Sequence, residues 1–151
     1  MAPILPIVQS IVSTSRLEVK VERSEFDKLR RWASQLGAIM SGSAWEALEI
    51  VTLETVRFVK DMMPVDTGRA RASWGEWTAT DRVKSNPDAK EEDAVLQMKR
   101  AALETVQGSN VPYIERLNEG HSKKAPAGFL DMAAEWAETD LEKRLTALRV
   151  L

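Results

Sequence analysis

The chain has no cysteine, one histidine and one tyrosine among its 151 residues, and the first two shortages close off classes of chemistry. Without thiols there are no disulfides and no thiolate metal sites, a composition that fits a reducing cytoplasm. With His121 as the only imidazole, a zinc site would have to be built from carboxylates, and no H-x-x-x-H pair is present. No G-x-S-x-G elbow accompanies the histidine. The seven glycines are scattered and form no phosphate-cradling loop. A basic excess is also missing: 21 Lys and Arg against 23 Asp and Glu leave a net charge of −2. Nucleic-acid-binding domains usually show a basic excess or a basic face. The apolar stretch from Met1 to Val12 lacks a basic leader, contains Pro3 and Pro6, and is too short to cross a bilayer. It is therefore not expected to act as a signal or a membrane segment.

What is present describes a soluble globular protein, with 44% hydrophobic and 29% charged residues. A chain of this length is most simply one domain with a substantial core. Residues 1–15 are expected to form an extended N-terminal arm, and residues 16–151 a single domain. There is no internal repeat.

Local patterning predicts the elements. Residues 16–22 alternate polar and apolar with period two, as in a half-buried strand with Leu17, Val19 and Val21 inward. Ser24 opens a helix carrying Phe26, Leu29, Trp32 or Ala33, and Leu36, ending near Gly37 or running on to Gly42. Ser43 and Glu46 form a capping box for the strongest helix, about 44–62, with an apolar face of Trp45, Leu48, Val51, Val56, Phe58, Val59 and Met62. Pro64 stops it. Residues 69–80 alternate and are expected to form a strand with Trp74 and Trp77 on opposite faces, one of them at the surface.

Residues 81–93 have one apolar side chain larger than alanine and read as an exposed, mobile loop. Helical periodicity over 91–106 predicts a helix closed by Gly108-Ser109-Asn110, with 102–106 alternatively a strand. Residues 111–117 read as an edge strand or a turn limited by Pro112. The last segment, from Ala127 or Gly128, is an amphipathic helix with the stripe Leu130, Ala134, Ala137, Leu141, Leu145 and Leu148. Its acids come early and its bases late, which suits the helix dipole. The expected fold is α+β, a small antiparallel sheet packed by two to four helices.

Two blocks carry the functional signal. The first is Pro64-Val65-Asp66-Thr67-Gly68-Arg69, followed by Arg71, Ser73 and Trp74. The second holds Asn110, Pro112, Tyr113, Arg116, Leu117, Gly120, His121, Ser122 and Lys123, then Ala125-Pro126-Ala127-Gly128. Asp66-Thr67-Gly68 spells the aspartic-protease triplet, but that chemistry needs two carboxylates sharing a proton. A single copy following a long helix and a proline reads better as a turn whose aspartate caps backbone N–H groups. Arg69, Arg71, Arg116, Lys123 and Lys124 could contact phosphate, although a solvated strand edge and a basic loop tip account for them as well.

In this order and spacing the blocks resemble the neck or tail-completion proteins of long-tailed bacteriophages, the minor tail components, over residues 43–150. Ala70 stands where that family usually has a leucine, and Asn118-Glu119 where it tends to have glutamate and an aromatic. Many relatives have a strand just before the Asn-x-Pro-Tyr block. The resemblance implies a structural virion protein, active in assembly within the host cytoplasm and without an enzymatic role or cofactor. It would sit at the neck, between the head connector and the tail tube or tail terminator, as a ring of six. DNA would pass through its lumen without specific binding. A tail terminator or a head-proximal connector of the same particle is the neighbouring alternative. A DNA-binding module or a hydrolase using Asp66 is the distant one.

On this reading Pro64, Asp66, Thr67, Gly68, Arg69, Ser73, Trp74, Pro112, Tyr113 and Gly120 set the turns. Arg71, Arg116, Asn118, Glu119, His121, Lys123, Lys124 and Pro126 are candidate subunit contacts. The contact segments are 1–15, 81–93 and 118–128.

Overall fold

The computed structural model describes residues 8–13, 15–21, 37–63, 68–79, 83, 85–121, 123 and 125–147. Strands β1 (Val8–Ser13) and β2 (Arg16–Val21) form a hairpin. Helix α1 spans Gly37–Met62 and the short helix α2 spans Arg69–Ala72. A second hairpin follows, β3 (Ala94–Lys99) and β4 (Glu104–Ser109), then α3 (Ile114–Asn118) and the final helix α4 (Phe129–Ala147). The sheet has four strands in the order β1-β2-β4-β3, every neighbouring pair antiparallel. Helices α1 and α4 pack against each other, with α4 over β1 and β2 and α1 over β2 and β4. The result is an α+β domain with its helices on one side of the sheet, as the patterning predicts.

The alternation in β2 places Leu17 and Val19 in the core, while Arg16, Glu18 and Lys20 on the other face are half-buried. The expected stripe on α1 is also observed. Trp45, Leu48, Val51, Val56 and Val59 are buried, Phe58 and Met62 partly so. Phe58 stacks on Trp136 of α4 with ring centroids 6.0 Å apart and planes 6° from parallel. On α4, Leu130, Ala134, Ala137, Leu141 and Leu145 are buried as expected, joined by Phe129 and Ala133. Glu54 of α1 meets Arg144 of α4, which also pairs with Asp140. The expected helix from Ser24 and its Trp32 lie outside the described residues.

The structure corrects several expectations. Helix α1 begins at Gly37, so Ser43 and Glu46 lie inside it and cap nothing. Gly42 is tolerated within the helix, where it costs about 1 kcal/mol relative to alanine, because packing along α4 supports this long helix. Val8–Ser13 of the expected arm is an edge strand of the protein's own sheet.

Residues 69–79 are no strand. Gly68 has φ 73°, and the Ala72 and Ser73 amides donate to the Gly68 and Arg69 carbonyls at 2.9 and 3.0 Å, making a helical turn. Trp74 is fully buried just after it and Trp77 is half-exposed. The turn ends at Gly75, with φ 62°, where an added Cβ would stand 2.8 Å from a Val56 methyl.

Residues 91–106 form no α-helix. A 3-10 turn at Glu91–Asp93 leads into β3. A second at Arg100–Ala102 and Leu103, at φ 50°, turn the chain back into β4. Gly108-Ser109 ends β4, and the following residues form a turn and then α3. The predicted loop 81–93 is exposed at Ser85, Pro87, Asp88 and Lys90–Glu92, but Val83 and Asp93 are buried.

Candidate functional site

The surface of β4 beneath the helices is polar throughout: Thr105, Gln107 and Ser109 are each no more than 1% exposed. Burial of such groups is tolerable only when they are hydrogen-bonded, and here each is. The Thr52 hydroxyl, on α1, donates to the Leu48 carbonyl at 2.7 Å and lies 2.7 Å from the Thr105 hydroxyl. A hydroxyl has one hydrogen, so Thr105 is the donor to Thr52. The Trp74 indole N–H donates to Gln107 Oε1 at 2.8 Å, and Gln107 Nε2 donates to the Thr52 carbonyl at 3.3 Å.

The Ser73 hydroxyl donates to the Ala70 carbonyl at 3.0 Å and is 2.8 Å from the Ser109 hydroxyl. By the same count, Ser109 donates to Ser73 while accepting from the Val111 amide at 3.1 Å. The Gly75 amide closes the seam on the Gly108 carbonyl at 3.0 Å.

This seam joins the two sequence blocks. Ser73 and Trp74 of the first are hydrogen-bonded to β4, which leads directly into the second. Around the junction, Arg69 pairs with buried Asp93 at 3.3 Å, and the Asp93 carbonyl receives the Asn110 amide at 2.7 Å. The Asn110 side chain accepts from Arg16 at 2.6 Å and donates to the Glu92 carbonyl at 3.0 Å. Ser15 and Arg16 both donate to the Ser109 carbonyl. Pro64, Val65, Asp66 and Thr67 lie outside the described residues. Gly68 supplies the left-handed residue ahead of α2.

Beside this turn, Arg71 pairs with Asp61 at 3.2 Å. Lys60 donates to the Glu76 carbonyl and to Thr78 Oγ1 at 2.9 Å. Burial holds the Lys60 ammonium below the ordinary lysine value, partly opposed by Glu76 and reinforced by Arg71.

The second block is anchored and then displayed. Pro112 is exposed, Tyr113 packs against the core and Ile114 is fully buried. Asn118, a candidate subunit contact, is engaged within its own chain. Its Oδ1 accepts the Leu130 amide at 2.9 Å, its carbonyl accepts the Gly128 amide at 2.6 Å, and its Nδ2 reaches Asp131 at 3.2 Å. It thus satisfies orphan donors at the start of α4. Gly120, at φ 92°, approaches Ala127 so closely that a Cβ would meet the Ala127 methyl at 3.0 Å. Ala125 is buried and holds the middle of the loop. Arg116, Glu119, His121, Lys123 and Pro126 remain exposed, with His121 3.5 Å from Glu119. Ser122 and Lys124 lie outside the described residues.

A second feature is an open groove of about 480 Å³ between β1 and α4, lined by Ser10, Val12, Asp131, Glu135, Glu138 and Glu142 among others. Ser10 donates to Glu138 at 2.9 Å. Among the described residues, no group of three or more His, Asp or Glu side chains is arranged to hold a metal ion. No helix among them is long and apolar enough to cross a membrane.

Sequence reasoning missed Thr105, Gln107, Ser109 and Asp93. The available signal was the spacing Thr105-x-Gln107-x-Ser109, a period-two run of uncharged polar groups. No protein-family profile, curated protein or solved structure matches the chain.

Proposed function

We propose that the chain is a structural protein of the neck of a long-tailed bacteriophage, completing the tail and joining it to the head connector as a six-membered ring. The observation that carries this reading is that the first resembling block is fixed to β4, the strand that leads directly into the second. Thirty-six residues apart in sequence, Ser73 and Ser109 touch at 2.8 Å, and Trp74 is locked onto Gln107 beside them. Buried, hydrogen-bonded side chains of this kind fix geometry and offer no group for turnover. The outward part of the second block is a short loop tied at both ends by Asn118 and Gly128. It presents Arg116, Glu119, His121, Lys123 and Pro126. A rigid frame carrying a tethered polar loop suits adhesion between subunits, where polar rims set register and orientation. The tail terminator and the head-proximal connector are neighbouring roles for the same design.

The test is electron microscopy of lysates from a phage in which this coding sequence is deleted. Filled heads lying apart from tails, or tails of aberrant length, are expected. Normal joined and infectious particles would overturn the proposal and return attention to peptide cleavage and DNA binding.

A further inference from the structure

We infer that β1 and β3, the two edges of the sheet, are the surfaces through which one copy of the chain docks on the next. This rests on the ring reading above and names its contact. The strand directions suit such a contact. In the order β1-β2-β4-β3 with every pair antiparallel, the two edge strands run in opposite directions. A second copy placed beside β3 in the same orientation brings its β1 antiparallel to β3 and keeps its helices on the same side. Head-to-tail addition therefore continues the sheet without inverting it, which is the heterologous contact a ring needs.

The register suits it too. Val12, Leu17, Gln107 and Leu96 form one row across the sheet, and Ser10, Val19, Thr105 and Met98 another. Extending these rows sets Met98 opposite Ser10 of the next copy, and Leu96 opposite its Val12. Both sets face the helix layer: Ser10 and Val12 line the groove under α4, and Leu96 and Met98 pack against the core. The extension matches faces, which a slip of one residue would not.

Both edges also lack the usual protection. Edge strands are usually blunted by charge, proline or a bulge. β1 reads Val-Gln-Ser-Ile-Val-Ser with neither charge nor proline, and β3 carries its only charge at its last residue, Lys99. Both pair with their neighbours residue for residue, without a bulge. Neither has a strand partner on its outer side among the described residues.

The absence of native cysteine makes disulfide trapping unambiguous. Ser10→Cys and Met98→Cys chains, mixed at high concentration and oxidised, should give a mixed dimer of twice the chain mass that a reductant abolishes. Dimers of Ser10→Cys with itself in equal or greater yield would overturn head-to-tail docking. The unmodified protein supplies an independent reading by amide hydrogen exchange: β1 and β3 should exchange more slowly as concentration rises. An oligomer whose added protection falls on other surfaces, such as Ile50 and Leu53 of α1, would overturn the edge contact and leave the neck reading standing. A protein that gives no mixed dimer and no added protection would overturn it as well. Unjoined heads and tails in the deletion lysate would then still support the neck role.

Discussion

The molecule is held together by two seams of opposite character. Between α1 and α4 the contact is apolar, built from Leu48, Val51 and Val59 on one helix and Leu130, Ala133, Ala137 and Leu141 on the other, all fully buried. Between β4 and the turn at residues 68–75 it is polar, built from Ser73, Trp74, Gln107 and Ser109. Apolar burial is strong and non-directional, so the first seam supplies stability and tolerates conservative repacking. Buried hydrogen bonds add little net stability each but cost heavily when one partner is lost. The second seam therefore fixes where the turn sits on the sheet, and with it the relation between the two sequence blocks.

Substitutions at four positions test this contrast. Trp74→Ala removes a fully buried indole and orphans Gln107 Oε1. It should destabilise by about 3–5 kcal/mol, read by urea unfolding; a loss under 1 kcal/mol would mean the seam carries no weight. Leu141→Ala should lose about 2–5 kcal/mol through its cavity. In the apolar seam, replacement by methionine should recover most of that, with a cost under about 1.5 kcal/mol. Ser73→Ala leaves the Ser109 hydroxyl without its acceptor and should lose about 1–3 kcal/mol. Ser73→Cys, whose thiol is a weak donor and a weak acceptor, is not expected to rescue it as methionine rescues Leu141, and comparing the melting temperatures of the two pairs checks the distinction. The smallest effect is Gly42→Ala. An added Cβ there meets nothing within 4 Å, so a gain of about 0.5–1 kcal/mol is expected in the same unfolding assay.

The apolar seam was also the legible one. The stripes of α1 and α4 repeat at helical spacing, so their buried faces follow from residue order, and β2 announces itself by Leu17 and Val19. The polar seam was only half legible: a strand over 102–106 was the alternative reading, and β4 spans Glu104–Ser109. In β4 the inward positions are Thr105, Gln107 and Ser109, so the period-two hydrophobic signal that marks a strand is missing. Residues 94–103 hold apolar side chains that satisfy a helical template equally well. The start of α1 was misplaced because Ser43-x-x-Glu46 resembles a cap but lies within a longer helix. Of the candidate site residues, Asn118 looked available for a neighbour and instead holds the start of α4. The exposure of Arg116, His121 and Lys123 agrees with their polar setting.

By itself the sequence determined the α+β class, the two long helices, the strand β2, and the lack of thiol and paired-histidine chemistry, because periodicity and composition are local properties. The tertiary structure alone decided that residues 94–109 become a hairpin, that 69–72 coil into a helical turn, and that Val8–Ser13 join the sheet. Those outcomes depend on partners distant in the chain: β2 offers its edge to β4, and Thr52 and Ser73 satisfy polar groups that would otherwise be too costly to bury.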